Sequence, residues 1–385
     1  MPGIPGSTIQ RGPPMKIAVV HSFYRRQLPS GENEIVEQQV RALDHRGHEV
    51  LLVAQQSADH AGPVAQVALG VRVATHSGFD PTSLLREFRP DIVHVHNLFP
   101  QFSCGWVRDW PGPIVATLHN YRPFCAKATI FRDGEQCLDC LDHPWAAVKY
   151  ACYRDSRIAT APLAWRNRRG VSGDPLLQRA DHVIYLSERS RMIYKRAGLV
   201  ARADSVIPNG LSVVSPVLDD RPREGWLFVG RLSPEKGVLE MLAHWPFARQ
   251  ALTVVGDGPL RDEIVARFEP QAGFTAAGSL SRDQVDDLLR RSVGCVIPSR
   301  WAEGLPLVLG EAMRAGTPVL ARTGSSAADF VMEFGGGSAY SSDSALPAVV
   351  TGWDPTEYNP LEAFQQHLSE PAWVSALERL YRGLT

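Results

Sequence analysis

Residues 294–322, GCVIPSRWAEGLPLVLGEAMRAGTPVLAR, read as strand, loop, helix and strand in succession. The outer runs, around GCVIPS and TPVLAR, are short and mostly apolar without polar alternation, the pattern of strands buried on both faces of a parallel sheet. Pro306 suits the first position of the intervening helix, because its missing N–H is one that a helix start leaves unpaired anyway. Inside this apolar unit stand two acids, Glu303 and Glu311, with seven residues between them. A carboxylate stranded there costs several kcal/mol to desolvate unless it has a partner. Eight residues of helical advance falls ~80° off a whole number of turns, so both acids can edge one cleft.

The same rhythm extends in both directions. GWLFVG, ALTVVG and FTAAG supply further strands upstream in the second half. In the first half the runs KIAVVH, HEVLLVA, GVRVAT, PDIVHVHN, PIVATLHN and HVIYLS read as strands. A helix, ENEIVEQQVRALDHRG, follows the first of them and ends in basic residues and Gly47, as helix C-termini prefer. The expectation is an α/β protein: two doubly wound parallel-sheet domains facing across a cleft, with ligands at the carboxyl ends of the strands. A chain of 385 residues exceeds the ~250–300 at which single cores stop growing. The segment IPNGLSVVSPVLDDRPREG, rich in Pro, Asp and Gly, reads as the connection. We therefore expect a disordered tail over 1–14, a first domain over 15–205 and a second over 206–360. Residues 361–385 are expected as a helical segment returning toward the first domain.

Forty Lys and Arg balance 41 Asp and Glu, a net charge of −1, which leaves no basic field for nucleic acid. No run of about 18 apolar residues offers a bilayer span, and MPGIPGSTIQRGPP lacks the apolar centre of a secretory signal. The expected location is the cytoplasm, with peripheral contact at the inner face of a membrane left open.

LFVGRLSPEKG places Gly230, Arg231 and Lys236 directly after a strand. Arg offers a planar fork of donors for phosphate oxygens and Lys a mobile point charge, so one loop can neutralise a diphosphate without a metal. The alternative is a solvated turn of mixed charge. Gly304, Leu305 and Pro306 would present helix N-terminal amides to the same anion. An ionised carboxylate has two acceptor oxygens, which suits Glu311 to a ribose diol and Glu303 to hexose hydroxyls. The competing reading pairs these acids with Arg300 or Arg314 as structural ion pairs.

GRLSPEKG, followed by PSRWAEGLPLVLGEAMRAGTPVLA, resembles the retaining glycosyltransferases of family 4, which have the GT-B fold, and the resemblance spans residues 15–385. It implies that Arg231 and Lys236 bind the nucleotide diphosphate, Glu303 the donor sugar and Glu311 the ribose hydroxyls. It implies the same for His119 of VATLHN, near the anomeric centre. Of the paired glycines the family carries after the first strand, only Gly31 is present; Ser30 reads equally as a helix N-cap. The implied reaction moves a hexose from a UDP- or GDP-sugar to a hydroxyl of a saccharide, lipid-linked or natural-product acceptor. The anomeric configuration is retained, the leaving phosphate takes the acceptor's proton, and no metal cofactor is required. The rival readings are a sugar-nucleotide epimerase of the same fold and a non-catalytic nucleotide-sugar binding protein.

Four cysteines, Cys125, Cys137, Cys140 and Cys152, follow the pattern C-x11-C-x2-C-x11-C within an insertion over 121–155. Four thiolates can close a tetrahedral zinc shell; reduced thiols and disulfides are the alternatives. Cys104 and Cys295 read as ordinary buried cysteines. Lys149, Arg154, Arg157, Arg166, Arg168 and Arg169, interleaved with apolar residues, suit anionic lipid, a phosphorylated acceptor or simply a solvated helix. His94 and His96 share one strand face and read as lining the acceptor cleft.

Overall fold

The structure, a computed structural model, describes residues 13–23, 31–56, 63–213 and 222–385. Most of the N-terminal stretch expected as a tail, Ser30 and part of the connecting segment lie outside the described residues.

The first half carries β1 (Lys16–Phe23), β2 (Glu49–Gln56), β3 (Ile92–Asn97) and β4 (Ile114–Leu118), then a small hairpin of β5 (Phe131–Arg132) and β6 (Glu135–Gln136), then β7 (His182–Tyr185) and β8 (Asp204–Val206). All but the hairpin form one six-stranded parallel sheet in the order β2-β1-β3-β4-β7-β8. The second half carries β9 (Trp226–Val229), β10 (Leu252–Val255), β11 (Phe274–Gly278), β12 (Gly294–Ile297), β13 (Val319–Arg322) and β14 (Gly337–Tyr340). These form a second six-stranded parallel sheet in the order β11-β10-β9-β12-β13-β14. In each sheet the order reverses beside the first strand, which opens the crevice that doubly wound sheets use for ligands. Val19, Ile92, Ile114 and Val115 in one sheet and Leu227, Cys295 and Val319 in the other are sealed from solvent, as strands covered on both faces require.

One strand expectation is corrected. GVRVAT is the C-terminal part of the helix Pro63–Thr75, not a strand. Its Val and Ala residues fit either period, and packing decides: a Cβ at Gly70 would lie 3.3 Å from Pro162 Cγ, so this helix rests on the helix Arg157–Arg166. Conversely β14, GSAY, and β8, DSV, were not anticipated, because neither run has the apolar, β-branched character of a strand.

The helix Glu370–Arg382 lies on the first domain. Glu378 accepts from His48 Nε2 at 3.0 Å and pairs with Arg46 Nη2 at 3.2 Å. The Tyr381 hydroxyl lies 2.6 Å from His94 Nδ1 and accepts from Gln39 Nε2 at 3.2 Å.

Candidate active site

The two sheets present their carboxyl ends to each other. Tyr121, just past β4, donates its hydroxyl to the Ala302 carbonyl at 2.5 Å, the residue before Glu303. A Cβ at Gly31 would stand 2.8 Å from Leu307 Cδ1, and one at Gly304 would stand 2.9 Å from Leu186 Cδ1. Both glycines thus permit close approach of the two halves. Farther along the seam Arg189 grips Asp329 with two bonds of 2.6 and 2.7 Å.

On the second-domain side, Gly230 and Arg231 follow β9, and Pro234–Lys236 forms a single tight turn. Gly237 closes that turn at φ 67°, and a Cβ there would stand 2.3 Å from the Pro298 carbonyl oxygen, so only glycine fits. This seats the turn against the end of β12. Lys236 Nζ consequently reaches Glu303 Oε2 at 2.7 Å, and Ser299 Oγ donates to Glu303 Oε1 at 2.6 Å. Glu303 is only 7% exposed, so both of its oxygens are satisfied in a nearly dry setting. Arg231 is exposed and makes no ion pair among the described residues. The expected alternative partners are engaged elsewhere: Arg300 with Glu240 at 3.0 Å and Arg314 with Asp286 at 2.9 Å.

The helix beyond Glu303 runs Leu307–Arg314, with Pro306 as its cap rather than its first residue. It has no side-chain cap and no acid in its first turn, which leaves its leading amides open to an anion. Leu305 and Leu307 pack on the core behind it. One helical face further, Glu311 reaches a cavity of about 250 Å³ lined also by Val229, Leu280, Arg282 and Val285. Burial pushes the Glu311 carboxyl above its usual range, against the pull of Arg314 and Arg282.

On the first-domain side, His119 follows β4 and its Nε2 lies 2.8 Å from His96 Nδ1. His94 stacks on His96 with ring centroids 4.3 Å apart. His94 is not a cleft residue: it is fully buried and bonded to Gln39, Tyr381 and, at 2.7 Å, Thr117. Burial lowers His119 and His94 to about 3 and His21 to about 4, and takes His96 well below its ordinary value. The imidazoles are therefore neutral near pH 7. His119 accordingly carries hydrogen-bonding capacity and no positive charge.

Sequence reasoning passed over Glu32. It opens the helix Gly31–His45, where an acid reads as an ordinary complement to the helix dipole. Its Oε2 instead accepts from Asn120 Nδ2 at 3.3 Å, and its Oε1 is buried with no hydrogen-bond partner among the described residues. Burial, outweighing bonds from Asn120 and Asn97, lifts its pKa from 4.5 to about 7.

The four insertion cysteines, Cys125, Cys137, Cys140 and Cys152, line one small cavity, while Cys104 and Cys295 are buried apart from it. Of the basic cluster, Arg166 is not solvated: its side chain is 9% exposed, lies over Phe99 and faces Asp174 at 3.9 Å.

Two family models match the chain in tandem: Glycosyltransferase Family 4 over residues 29–214, and Glycosyl transferases group 1 over residues 223–344. The chain belongs to the family 4, group 1 glycosyltransferases. It is similar to the phosphatidyl-myo-inositol mannosyltransferase of Mycolicibacterium smegmatis, with 28% identity over 77% of this chain and 74% of that enzyme. It is also similar to a glycogen synthase of Mycobacterium tuberculosis, with 34% identity over 61% of this chain and 52% of that enzyme. Among solved structures, sucrose-phosphate synthase from Thermosynechococcus elongatus superposes with a TM-score of 0.66 at 20% identity, covering 96% of this chain and 99% of that one. Anabaena Alr3699/HepE in complex with UDP and glucose gives 0.59 at 16% identity, covering 95% and 99%. These likenesses establish the GT-B fold of this glycosyltransferase. Among the described residues no helix is long and apolar enough to cross a membrane.

Proposed function

We propose that this glycosyltransferase moves a hexose, with retention, from a nucleoside diphosphate sugar to an acceptor hydroxyl held by the first domain. The observation that carries the reading is the Lys236–Glu303 pair, set between unpaired Arg231 and the uncapped helix start at Leu307. A diphosphate laid there meets two cations and aligned amides, so developing charge on the leaving group is stabilised by groups already in place. Lys236 then turns from the carboxylate toward phosphate, and Glu303 is released to accept from sugar hydroxyls. Glu311 takes the ribose diol, and the apolar wall of Val229, Leu280 and Val285 takes the base. The nucleotides named in the Alr3699/HepE complexes, UDP and UDP-glucose, are the first ligands to try, UDP-glucose as donor. Because protein groups supply the positive charge, turnover needs no added divalent ion.

Neutral His119 hydrogen-bonds the sugar near its anomeric carbon, and the departing phosphate oxygen takes the acceptor's proton on the same face. The face around Trp145, Ile158 and Trp165, all exposed beside Lys149 and Arg157, suits an anionic lipid surface or a phosphorylated acceptor. Such a surface would hold the enzyme at a membrane's inner face in the cytoplasm.

Calorimetric titration with UDP-, GDP- and other nucleotide sugars tests the reading. One donor should bind to wild type, and Arg231→Ala or Lys236→Ala should lower turnover by ~10²–10³. Near-wild-type kinetics in both variants would remove this loop from the site. NMR of the donor incubated alone separates transfer from epimerisation: an epimer forming without acceptor would favour the rival enzyme.

A further inference from the structure

Residues 121–155 leave the first sheet after β4 and form little regular structure: the hairpin β5–β6 and two helices of four residues each. Six of their non-glycine residues, Ala128, Ile130, Asp133, Ala151, Arg154 and Asp155, hold φ between 47° and 69°. Such conformations cost on the order of 1–3 kcal/mol each and persist only where surroundings impose them. Its near end packs through Tyr121, Phe124 and Ile130 into the core beside β4 and β7, while the part around Cys140 and Cys152 rests on a small cluster of Val73, Phe99, Ala126, Ala147 and Leu163. The far part of the segment, with a small core and much backbone strain, is where a covalent or metal staple would add most.

Its four cysteines are placed to provide one. Cys125 follows the turn after Tyr121, Cys137 follows the hairpin, Cys140 lies in the helix Asp139–Asp142, and Cys152 follows the helix Ala146–Lys149. Three separate segments thus bring four sulfurs to the walls of one cavity of about 20 Å³, the room of a single ion or water. Burial raises the Cys137 and Cys140 thiols above their ordinary range, and the nearby backbone amides of Asp139 and Ala147 oppose that rise by favouring negative sulfur. Amides so placed help to hold thiolates around a metal. Arg132, itself paired with Asp133 and Asp139, and Lys127 also line the cavity, and the rest of the wall is apolar. Among the described residues no three side chains form a ready-made metal cradle, so the thiols must turn inward to close the shell.

We propose that Cys125, Cys137, Cys140 and Cys152 form a structural tetrathiolate site for one zinc ion. Four S–H bonds break, four sulfur–metal bonds of about 2.3 Å form, and four protons pass to solvent, with no change of oxidation state. Four thiolates and Zn²⁺ leave two negative charges, which Arg132 and Lys127 face. The ion ties the insertion to the corner where Tyr121 holds Ala302 and Asn120 holds Glu32. It therefore stiffens the wall between the two halves of the active site without touching substrate.

The full chain, purified in reducing buffer without chelator, should contain about one zinc per molecule, and cobalt substitution should give the intense sulfur-to-metal bands of tetrahedral thiolate coordination. Cys137→Ser and Cys140→Ser should each lose the metal. Because those variants can fail to fold, wild type is also stripped with chelator. Stripping should expose four thiols to a thiol reagent and lower Tm by several degrees, and zinc should reverse both. Two disulfides found by non-reducing peptide mapping would overturn the site. So would a different bound metal, or a metal-free chain whose Tm ignores added zinc.

Discussion

Glu311 is the residue whose task is narrowest. It lines a cavity and has a pKa raised by burial, against the pull of Arg314 and Arg282. Replacing it by Gln keeps the shape and removes a charged acceptor, a change on the order of 1.5–3 kcal/mol per hydrogen bond lost. Glu311→Gln should weaken donor binding ~10- to 100-fold in calorimetric titration, with a much smaller fall in kcat. Glu32 makes the opposite kind of prediction. Its folded pKa of about 7 exceeds its ordinary 4.5, so between those values the folded chain holds a proton that the unfolded chain releases. Stability from this group is present below pH 4.5 and falls as pH rises through 7, by on the order of a few kcal/mol. Glu32→Gln should match wild type near pH 5 and exceed it at pH 8 in urea denaturation. Both acids of the opening loop-helix unit stand out in sequence, because a carboxylate in an apolar run demands a partner, but the sequence did not single out Lys236 as the partner of Glu303. Glu32 does not stand out, because an acid in the first turn of a helix demands none.

Elements were legible where length or composition left one answer. Strands such as KIAVVH and PIVATLHN are bounded by turn residues and buried throughout, and they stand where periodicity placed them. GVRVAT failed because alternation of Val with small residues cannot distinguish a strand from a helix lying on another helix. The helix Glu370–Arg382 raises a separate point, since Glu378 answers two groups of the first domain at once. Its side chain is 11% exposed and that of His48 2%. Glu378→Ala removes the one carboxylate that answers both, leaving Arg46 only Ser375 and His48 only the Met15 amide in a poorly solvated place, a change of up to about 3–5 kcal/mol. The urea midpoint should drop accordingly, while donor affinity at the distant second-domain loop stays unchanged.

At the scale of the molecule, two six-stranded parallel sheets of different strand order face each other, and the bonds Arg189–Asp329 and Tyr121–Ala302 cross between them. The doubling of the α/β pattern was readable from sequence; the crossing bonds were not, since their members lie 140 and 181 positions apart. One whole-molecule property follows from the stacked histidines. His21, His94 and His119 have folded pKa values of about 3–4 against an ordinary 6.5, and His96 is lowered with them. The unfolded chain therefore binds more protons in that window, and stability present above pH 6.5 is lost as pH falls through it. The combined loss, several kcal/mol, is comparable to the ~5–15 kcal/mol of a whole domain. It exceeds the opposing gain from Glu32. Circular dichroism should show the first domain unfolding between pH 6 and 4.

The helix that returns to the first domain also sets a schedule for biosynthesis. His94 waits 287 positions for Tyr381, and His48 waits 330 for Glu378. At ribosomal speeds of ~5–20 residues per second, those partners emerge roughly 15–65 s after the groups they satisfy. For that interval His48 and His94 stand without the carboxylate and the hydroxyl that the far helix later brings.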